Sequence, residues 1–342
     1  MIRIKQTNLW DKGAFNMPDI RNLLPFLKGR SVYIQTHNFP DPDAIASAYG
    51  LKQLLKNFDV DTTLCFEGKI DKLSATKMLD AFGIEMFAYS EICDKMKEED
   101  AIICVDSQKN GGNITDFIGD EIAAIDHHPT FVKIAYQYSD IRITGACASI
   151  IAEYYKNLGI SPDSNTATAL LYGIRMDTLQ FSRGVTQLDI DMFAYLFPFA
   201  DNDKLTALER NNIELRDLQA YGVAIDNVKI YNRVGFSSVP FSCPDGLIAA
   251  LSDFLLSLDE VDVAVIICHR ENGIKLSVRS EVQEVHAGSL IREALAGIGD
   301  GGGHREMAGG MIKKEKVEEF GKYPDDFIRE KFLKVLEKTS LT

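Results

Sequence analysis

The sequence has 342 residues, of which 46% are hydrophobic and 25% are charged, so it has the composition of an ordinary globular protein with enough chain for two domains. Its net charge of -13 disfavours long nucleic acid as the main partner, because nonspecific affinity for a polyanion needs clustered Lys and Arg. We expect a cytoplasmic protein without membrane contact, since no apolar run is long enough to span a bilayer and the first residues lack the pattern of a secretory signal. The six cysteines have no CxxC spacing and are interpreted as reduced core residues.

Strand-like and helical stretches alternate through the first half of the chain. After a leader, the apolar patterns predict strands at 31–36, 62–66, 101–105 and 122–125, and helices at 44–58, 74–82, 145–158 and 165–176. Alternating β and α elements favour a parallel sheet. The fold class is therefore α/β.

The second half predicts a smaller domain of mixed α/β type. Strand-like runs at 228–231, 234–240, 261–268 and 274–278 are interspersed with helical stretches at 285–296 and 325–338 and one that begins near Asp245. Asn272 and Gly273 predict a hairpin. We expect a first domain at 1–200, a connecting helix at 201–222 and a second domain at 223–342, with the functional site in the cleft between the domains.

Polar residues follow three of the predicted strands at their carboxyl ends. They are His37, Asp41 and Asp43 after the first strand, Asp106 after AIICV, and Asp126, His127 and His128 around the end of IAAI. The carboxyl ends of parallel strands converge on one crevice, which is the usual ligand site of such sheets. We therefore expect these side chains to meet in space.

Carboxylates and imidazoles clustered on apolar strands would repel one another and be poorly solvated. Such groups either shift their pKa values or bind cations. Divalent metal is the economical explanation, and the mixture of oxygen and nitrogen donors favours Mn²⁺, with Mg²⁺, Co²⁺ and Fe²⁺ left open. Asp177, at the end of a predicted helix, is a candidate to complete the set.

The motifs also carry a family resemblance. HNFPDPDA at 37–44, VDS at 105–107, DHHP at 126–129 and GIRMDT at 173–178 resemble, in order, the four motifs of DHH phosphoesterases, and GGGHREMAGG at 301–310 is similar to the signature of the DHH-associated domain. The resemblance covers nearly the whole chain beyond the leader. Five motifs in the right order are far more specific than a DHH tripeptide alone.

The resemblance implies two divalent cations and a role for each motif residue. His37, Asp41 and Asp106 would hold one metal, and Asp43, Asp106, His127 and Asp177 the other, with Asp106 as the bridge. Asp126 would orient a neighbouring group, and His128 would face the substrate phosphate. A hydroxide bridging the metals would attack phosphorus, without a covalent protein nucleophile.

The resemblance also implies a phosphate clamp in the second domain. Its members would be Arg279 and Ser280 at the end of a strand, and Gly301, Gly302, Gly303 and His304 in a glycine-rich loop that offers backbone amides to an anion. Among these, Arg279 and His304 are counted with His128 and Asp126 as catalytic candidates.

Among DHH phosphoesterases, the short two-domain members resemble bacterial nano-RNases, which degrade very short oligoribonucleotides and dephosphorylate 3'-phosphoadenosine 5'-phosphate. We expect such a small nucleotide substrate and no long duplex. A phosphodiesterase of cyclic or linear dinucleotides, an exopolyphosphatase-like enzyme and a non-catalytic nucleotide sensor stay open as alternatives. The identity of the metal and whether the chain forms a homodimer also stay open.

Simpler interpretations exist for single residues. Asp41 and Asp43 are also suited to capping the helix that follows, Asp177 to a solvated helix end, and Arg279 to a surface strand. Three residues depart from the family pattern, Pro42 and Ala46 where glycine is frequent and Met307 where alanine is usual, which leaves loop geometry and substrate size open.

Overall fold

The computed structural model describes residues 18–70, 72–210, 214–215 and 217–337. Contacts divide the chain into two compact units, Met1–Asn212 and Ile213–Thr342. Most of the predicted leader, residues 1–17, lies outside the described residues. No helix among the described residues is long and apolar enough to cross a bilayer.

The first unit is built on a parallel sheet, as the alternation of elements predicted. Its strands are β1 (Val32–Gln35), β2 (Thr63–Phe66), β3 (Phe87–Ala88), β4 (Ala101–Val105), β5 (Asp120–Asp126) and β6 (Tyr138–Ile141). They run side by side in the order β3-β2-β1-β4-β5-β6, and each neighbouring pair is parallel. The strand order reverses between β1 and β4, and a crevice opens at the carboxyl ends of strands at such a point.

The helices of the first unit include one before β1, three between the early strands and four in succession after β6. They are α1 (Leu24–Leu27), α2 (Pro42–Lys56), α3 (Leu73–Phe82), α4 (Tyr89–Ile92), α5 (Cys147–Leu158), α6 (Ser164–Asp177), α7 (Gln187–Leu196) and α8 (Asn202–Glu209). The main core of the unit is apolar, and Ile34, Leu51, Val105, Ile151 and Leu170 within it are fully buried.

Small residues bring α2 and α6 close together. A Cβ atom on Gly173 would lie 2.7 Å from the Cβ of Ala46 and 3.1 Å from Oδ1 of Asp43. Gly50 similarly leaves room for Leu170, whose Cδ2 would be 2.8 Å from an added Cβ. Ala46 fits despite departing from the family pattern because its partner is a glycine. Pro42 fits too, since it is the first residue of α2, where proline is well tolerated.

The second unit is of mixed α/β type, as expected, and its helices pack on both faces of one sheet. Its strands are β7 (Lys229–Tyr231), β8 (Val234–Val239), β9 (Val263–Arg270), β10 (Gly273–Ser280), β11 (Asp300–Gly303) and β12 (Met307–Lys313), in the order β11-β12-β10-β9-β8-β7. Only the β8–β9 pair is parallel among these described strands. The helices are α9 (Asp217–Asp226), α10 (Asp245–Leu256), α11 (Ala287–Ala294), α12 (Lys314–Val317) and α13 (Pro324–Leu336).

Two expectations need correction. The segment 201–222 was expected to be a connecting helix, but it contains all of α8 in the first unit and the start of α9 in the second. The glycines at 301–303 were expected to form a loop, but they form strand β11, paired with residues 308–310 of β12. Two of the glycines leave little room for a side chain: a Cβ on Gly301 would lie 3.0 Å from Cγ1 of Ile291 in α11, and one on Gly303 would lie 2.5 Å from Cα of Ala308.

Candidate metal centre

The first group of possible metal ligands lies where the strand order reverses. His37 and Asp41 follow β1, Asp106 follows β4, and each offers a donor atom within 4.8 Å of the others. Nε2 of His37 is 3.8 Å from Oδ1 of Asp41 and 3.6 Å from Oδ2 of Asp106. Its Nδ1 donates to the carbonyl of Asn38 at 2.8 Å, which leaves Nε2 to face the carboxylates.

A second group lies beside the first. Asp43, His127 and Asp177 likewise offer donor atoms within 4.8 Å of one another. Nε2 of His127 is 3.3 Å from Oδ2 of Asp177 and 3.2 Å from Oδ1 of Asp106. Nδ1 of His127 donates to the carbonyl of Thr144 at 2.9 Å, so the ring is held with Nε2 inward.

Asp106 connects the two groups. Its Oδ2 faces His37 and its Oδ1 faces His127. Oδ1 is buried and makes no well-aligned hydrogen bond among the described residues, with Nε2 of His127 at 3.2 Å as an ion-pair neighbour. A buried carboxylate oxygen of this kind is costly unless a cation neutralises it. The backbone at Asp106 adopts a left-handed φ of 56°, a sparsely populated conformation that often occurs at functional sites. The donor set therefore fits a pair of divalent cations that share one carboxylate.

The electrostatics of the cluster also favour bound cations. Burial would lower the pKa of His37, but Asp41, through its hydrogen bond and charge, and Asp106 raise it to about 9. Burial and the charges of Asp41 and Asp106 raise the pKa of Asp177 to about 6. Excess negative charge thus draws protons to the cluster when no other cation neutralises it.

Asp43 is fixed by the amino end of α5. Its Oδ2 accepts a hydrogen bond from the amide of Cys147 at 2.7 Å, and its Oδ1 accepts one from the amide of Ala148 at 3.0 Å. Ala146, the N-cap residue of α5, has no side chain that can cap the helix. Asp43 therefore serves as a remote cap. Asp41 also caps a helix, α2, through the amides of Asp43 and Ala44, so the capping interpretation holds alongside the metal interpretation.

Asp126 holds His128 at the edge of the cluster. Oδ1 of Asp126 is 2.9 Å from Nδ1 of His128 and accepts the amide of His127 at 2.8 Å, while Oδ2 accepts from Nε2 of Gln108 at 2.7 Å. Because Nδ1 of His128 is engaged, Nε2 on the opposite side of the ring is the nitrogen left for a ligand. Gln108 was missed by sequence reasoning, although it stands directly after the VDS motif.

A buried carboxylate outside the motifs supports the His127 side of the site. Asp189, at the start of α7, is 0% exposed. It accepts hydrogen bonds from the hydroxyl of Thr144 (3.1 Å), the amide of Gly145 (2.9 Å), the hydroxyl of Ser149 (2.6 Å) and the amide of Thr186 (2.7 Å). Since the carbonyl of Thr144 accepts from His127, Asp189 steadies that ligand indirectly. Sequence reasoning missed Asp189, because the only local signal is its capping box with Thr186.

Arg183 is a further residue that sequence reasoning missed. Its Nη2 donates to the carbonyl of Asp177 at 2.7 Å and lies 3.6 Å from Oδ1 of the same residue. The chain between them makes a left-handed turn, with φ of 45°, 57° and 65° at Leu179, Gln180 and Phe181. Three consecutive residues in this conformation are unfavourable, so the turn is held by its contacts. It places one positive charge beside a candidate ligand.

The predicted substrate residues of the second unit lie around the start of β12. Arg279 pairs in register with Met307, and the amide of His304 donates to the carbonyl of Met307 at 2.8 Å. Nε of Arg279 donates to Asp253 at 2.6 Å. Ser280 is buried, and its hydroxyl donates to the carbonyl of Val285 at 2.9 Å. Arg279 and His304 thus lie on either side of Met307, whereas Ser280 has an internal partner.

A cavity of about 630 Å³ lies elsewhere in the first unit. Its lining includes Leu27, Arg30, Val32 and Thr63, at the amino ends of β1 and β2. The metal ligands lie at the carboxyl ends, so this cavity is separate from the cluster. Arg30 there is already paired with Asp120 at 2.8 Å.

Comparison with known proteins gives two family matches. Residues 31–174 match the family described as "DHH family, N-terminal domain", and residues 231–330 match the "DHHA1 domain". The first match begins at β1 and includes His37, Asp106 and His127, and the second includes Arg279 and His304.

The individual relatives described next are at most 28% identical to this chain in sequence. An uncharacterised protein of Methanocaldococcus jannaschii is 28% identical over 317 residues, which is 90% of this chain but 65% of that protein, so the chain spans less than two thirds of this relative. A probable manganese-dependent inorganic pyrophosphatase of Streptococcus pyogenes is 28% identical over 193 residues, 55% of this chain and 57% of the relative. The crystal structure of an exopolyphosphatase-related protein from Bacteroides fragilis shares the fold, with a TM-score of 0.73, 19% identity and coverage of 92% of this chain and 97% of that one.

Proposed function

Since this chain belongs to the DHH family and carries a DHHA1 domain, we propose that it is a two-metal phosphoesterase that hydrolyses short oligoribonucleotides or 3'-phosphoadenosine 5'-phosphate. The observation that carries the proposal is Asp106, whose two oxygens face two separate groups of metal donors. A capping or packing role for this aspartate would not explain why both of its oxygens face candidate metal ligands.

The two groups of donors give each cation its own ligands. His37, Asp41 and Asp106 would hold one cation, and Asp43, Asp106, His127 and Asp177 the other. Mn²⁺ is the favoured ion, because carboxylates and imidazoles together suit it and because a relative is named as manganese-dependent. When bound, such a pair of cations lowers the pKa of water and neutralises charge on the attacked phosphate.

The protein's own residues orient the substrate. Nδ1–H of His128 donates to Asp126, and although burial lowers the pKa of His128, this hydrogen bond and the charge of Asp106 raise it. The protonated ring also carries an Nε2–H, which can donate to a phosphoryl oxygen. Gln108 fixes Asp126 through Oδ2, and it also donates to the carbonyl of His128 at 3.1 Å. His128 therefore has one orientation before any substrate arrives, which reduces the entropic cost of binding.

The second unit would contribute the remaining phosphate contacts. Arg279, His304 and the Gly301–Gly303 strand are its proposed members, whereas Ser280 is left out because its buried hydroxyl already has an internal partner. Arg279 is paired with Asp253 through Nε and would have to exchange this carboxylate for a phosphate, a ligand that a guanidinium can bind through two nitrogens. The net charge of -13 favours a small anion held by metal over a long polyanion held by surface charge.

Hydrolysis assays on purified full-length protein test the proposal. Diadenylate, 3'-phosphoadenosine 5'-phosphate, cyclic diadenylate, pyrophosphate and polyphosphate should each be incubated with Mn²⁺ and with chelator. We expect metal-dependent release of product from the first two substrates, and loss of about 10⁴-fold or more in rate for Asp106→Asn, because both groups of ligands lose their shared member.

The other outcomes discriminate between the alternatives. Cleavage confined to polyphosphate or pyrophosphate would reject the nucleotide substrate while keeping the two-metal reaction. Preference for the cyclic or linear dinucleotide would favour a dinucleotide phosphodiesterase. Nucleotide binding without hydrolysis of any substrate would favour a sensor and refute the enzyme.

A further inference from the structure

Phe39 is an unusual residue within the first metal motif. Its side chain is 59% exposed, although it stands between His37 and Asp41, which are candidate ligands. Its backbone has a left-handed φ of 56°, which is rare for an aromatic residue. A bulky side chain persists in such a conformation only where its surroundings enforce it, and strain of this kind concentrates at ligand-binding sites.

The loop that carries Phe39 is held by the segments that follow the two strands next to β1. The amide of Phe39 donates to the carbonyl of Glu67, just beyond β2, at 2.9 Å. On the other side, the amide of Asn38 donates to the carbonyl of Asn113 at 2.7 Å, and the side chain of Asn38 exchanges hydrogen bonds with Thr115 at 3.0 and 3.1 Å. The loop is therefore rigidly held, and the exposure of the ring is not a result of a loose segment.

The ring of Phe39 lies on a glycine. A Cβ atom on Gly68 would be 2.7 to 2.9 Å from three atoms of the ring, so any other residue at 68 would displace it. Gly68 has φ of 94°, a conformation that also favours glycine. One side of the ring is thus supported by backbone, and the rest is open to solvent.

The position of the ring relates it to the metal cluster. Phe39 is two residues from His37 and two from Asp41, so its Cα lies within about 7 Å of each ligand's Cα. Gly68 follows β2, next to β1 in the sheet, so the ring lies at the same carboxyl edge as the ligands. A phosphate at the metals would leave the next group of the substrate beside this ring.

We propose that Phe39 is a specificity-determining residue that stacks on a nucleobase of the substrate. The inference rests on the proposed function, in that the cluster takes a phosphate, and it adds that the phosphate belongs to a nucleotide. Aromatic rings bind bases through their faces irrespective of base identity, whereas polyphosphate and pyrophosphate offer nothing to stack. An exposed aromatic ring that is held in place beside the metal ligands can therefore contribute to binding when the ligand carries a planar group that stacks on it.

Binding to the full-length, Mn²⁺-loaded protein tests the stacking directly. Isothermal titration should compare AMP with ribose 5-phosphate, which lacks the base, for wild type, Phe39→Ala and Phe39→Tyr. We expect about tenfold weaker AMP binding by Phe39→Ala, which corresponds to ~1.4 kcal/mol, and recovery to within about twofold in Phe39→Tyr. Affinity for ribose 5-phosphate should change by less than about twofold.

A matched variant controls for the loss of an exposed aromatic ring. Phe197, at the end of α7, is 47% exposed, and Phe197→Ala should bind AMP like wild type. Equal weakening of AMP and ribose 5-phosphate in Phe39→Ala would mean that the loop has been distorted, and the stacking role would be wrong. Unchanged AMP affinity in Phe39→Ala would refute it as well.

The same variants separate this inference from the proposed function. If the wild type hydrolyses no nucleotide, but Phe39→Ala binds AMP more weakly than the wild type does, the stacking role stands and the enzyme assignment fails. If wild type hydrolyses diadenylate and a dinucleotide without bases at the same kcat/KM, and Phe39→Ala leaves their ratio unchanged, the enzyme assignment stands and the stacking role fails.

Discussion

Replacing Asp106 with asparagine isolates the contribution of the shared ligand. Asparagine has nearly the same volume and tolerates the left-handed backbone found at this position, with φ of 56°. The variant therefore removes a negative charge and a metal ligand without imposing backbone strain. Because the two oxygens of Asp106 face His37 and His127 respectively, both donor groups are weakened by this one change.

The expected size of the effect follows from ligand linkage. A cation that binds only the folded state at 100 times its Kd stabilises a protein by about 2.7 kcal/mol. For a unit of about 200 residues, 1 kcal/mol changes Tm by about 2 to 4 °C, so one site should raise Tm by about 5 to 11 °C. We expect Asp106→Asn to lose at least half of the shift that wild type shows with Mn²⁺.

Calorimetry of chelator-treated protein, with and without added Mn²⁺, measures this shift. Asp201→Asn is the matched control, because Asp201 caps α8 away from the motifs and asparagine caps equally well. The control should keep the full shift while losing the same charge. A full Mn²⁺-dependent shift in Asp106→Asn would show that the two groups of ligands do not share this carboxylate.

Three further outcomes are expected. Mn²⁺ affinity should rise at least tenfold per pH unit between pH 6 and pH 9, because the pKa of His37 is raised to about 9 and that of His127 well above its ordinary value, and both rings must lose a proton before metal binds. Titration in buffers of different ionisation enthalpy would detect the protons released. Asp189→Asn should weaken Mn²⁺ binding about 10- to 100-fold, measured by electron paramagnetic resonance, since the support of His127 through Thr144 is disturbed; unchanged affinity would limit Asp189 to a structural role. His269→Gln should lower the free energy of unfolding in urea by up to about 1 kcal/mol at pH 5.5 and by less at pH 9. The hydrogen bond to Asp325 raises the pKa of His269, so the stability from this pair is complete below the unfolded-state pKa and is lost as pH rises through the folded-state value.

Much of the first unit could be predicted because its strands are buried on both faces. The strand Ala101–Val105 was predicted with its observed bounds, since AIICV is apolar throughout and every residue is buried. Strand β6 was missed because two of its four residues are polar. Asp140 in β6 is buried but paired with Arg142 at 2.7 Å, and such a partner cannot be assigned before the fold is known.

Some residues around the candidate site could be predicted from the sequence, and others could not. Motif residues such as Asp106 and His127 could be predicted because their order and spacing are specific. Asp189 and Arg183 could not, because their roles depend on contacts with Thr144 and Asp177 that only the folded chain creates. The glycines at 301–303 were assigned to a loop because glycine has a low strand propensity, which close packing of α11 overrides.

The link between Asp43 and α5 constrains the length of the chain, in addition to the identity of its residues. Surface loops commonly accept insertions and deletions. Between β6 and α5, however, Arg142 bonds the carbonyl of Asp126, Thr144 bonds His127, and Gly145 bonds Asp189, immediately before the helix whose first amides hold Asp43. One residue more or fewer would detach several of these bonds together. Homologous chains that keep the same chemistry should therefore keep this connection at a fixed number of residues, even where its side chains vary.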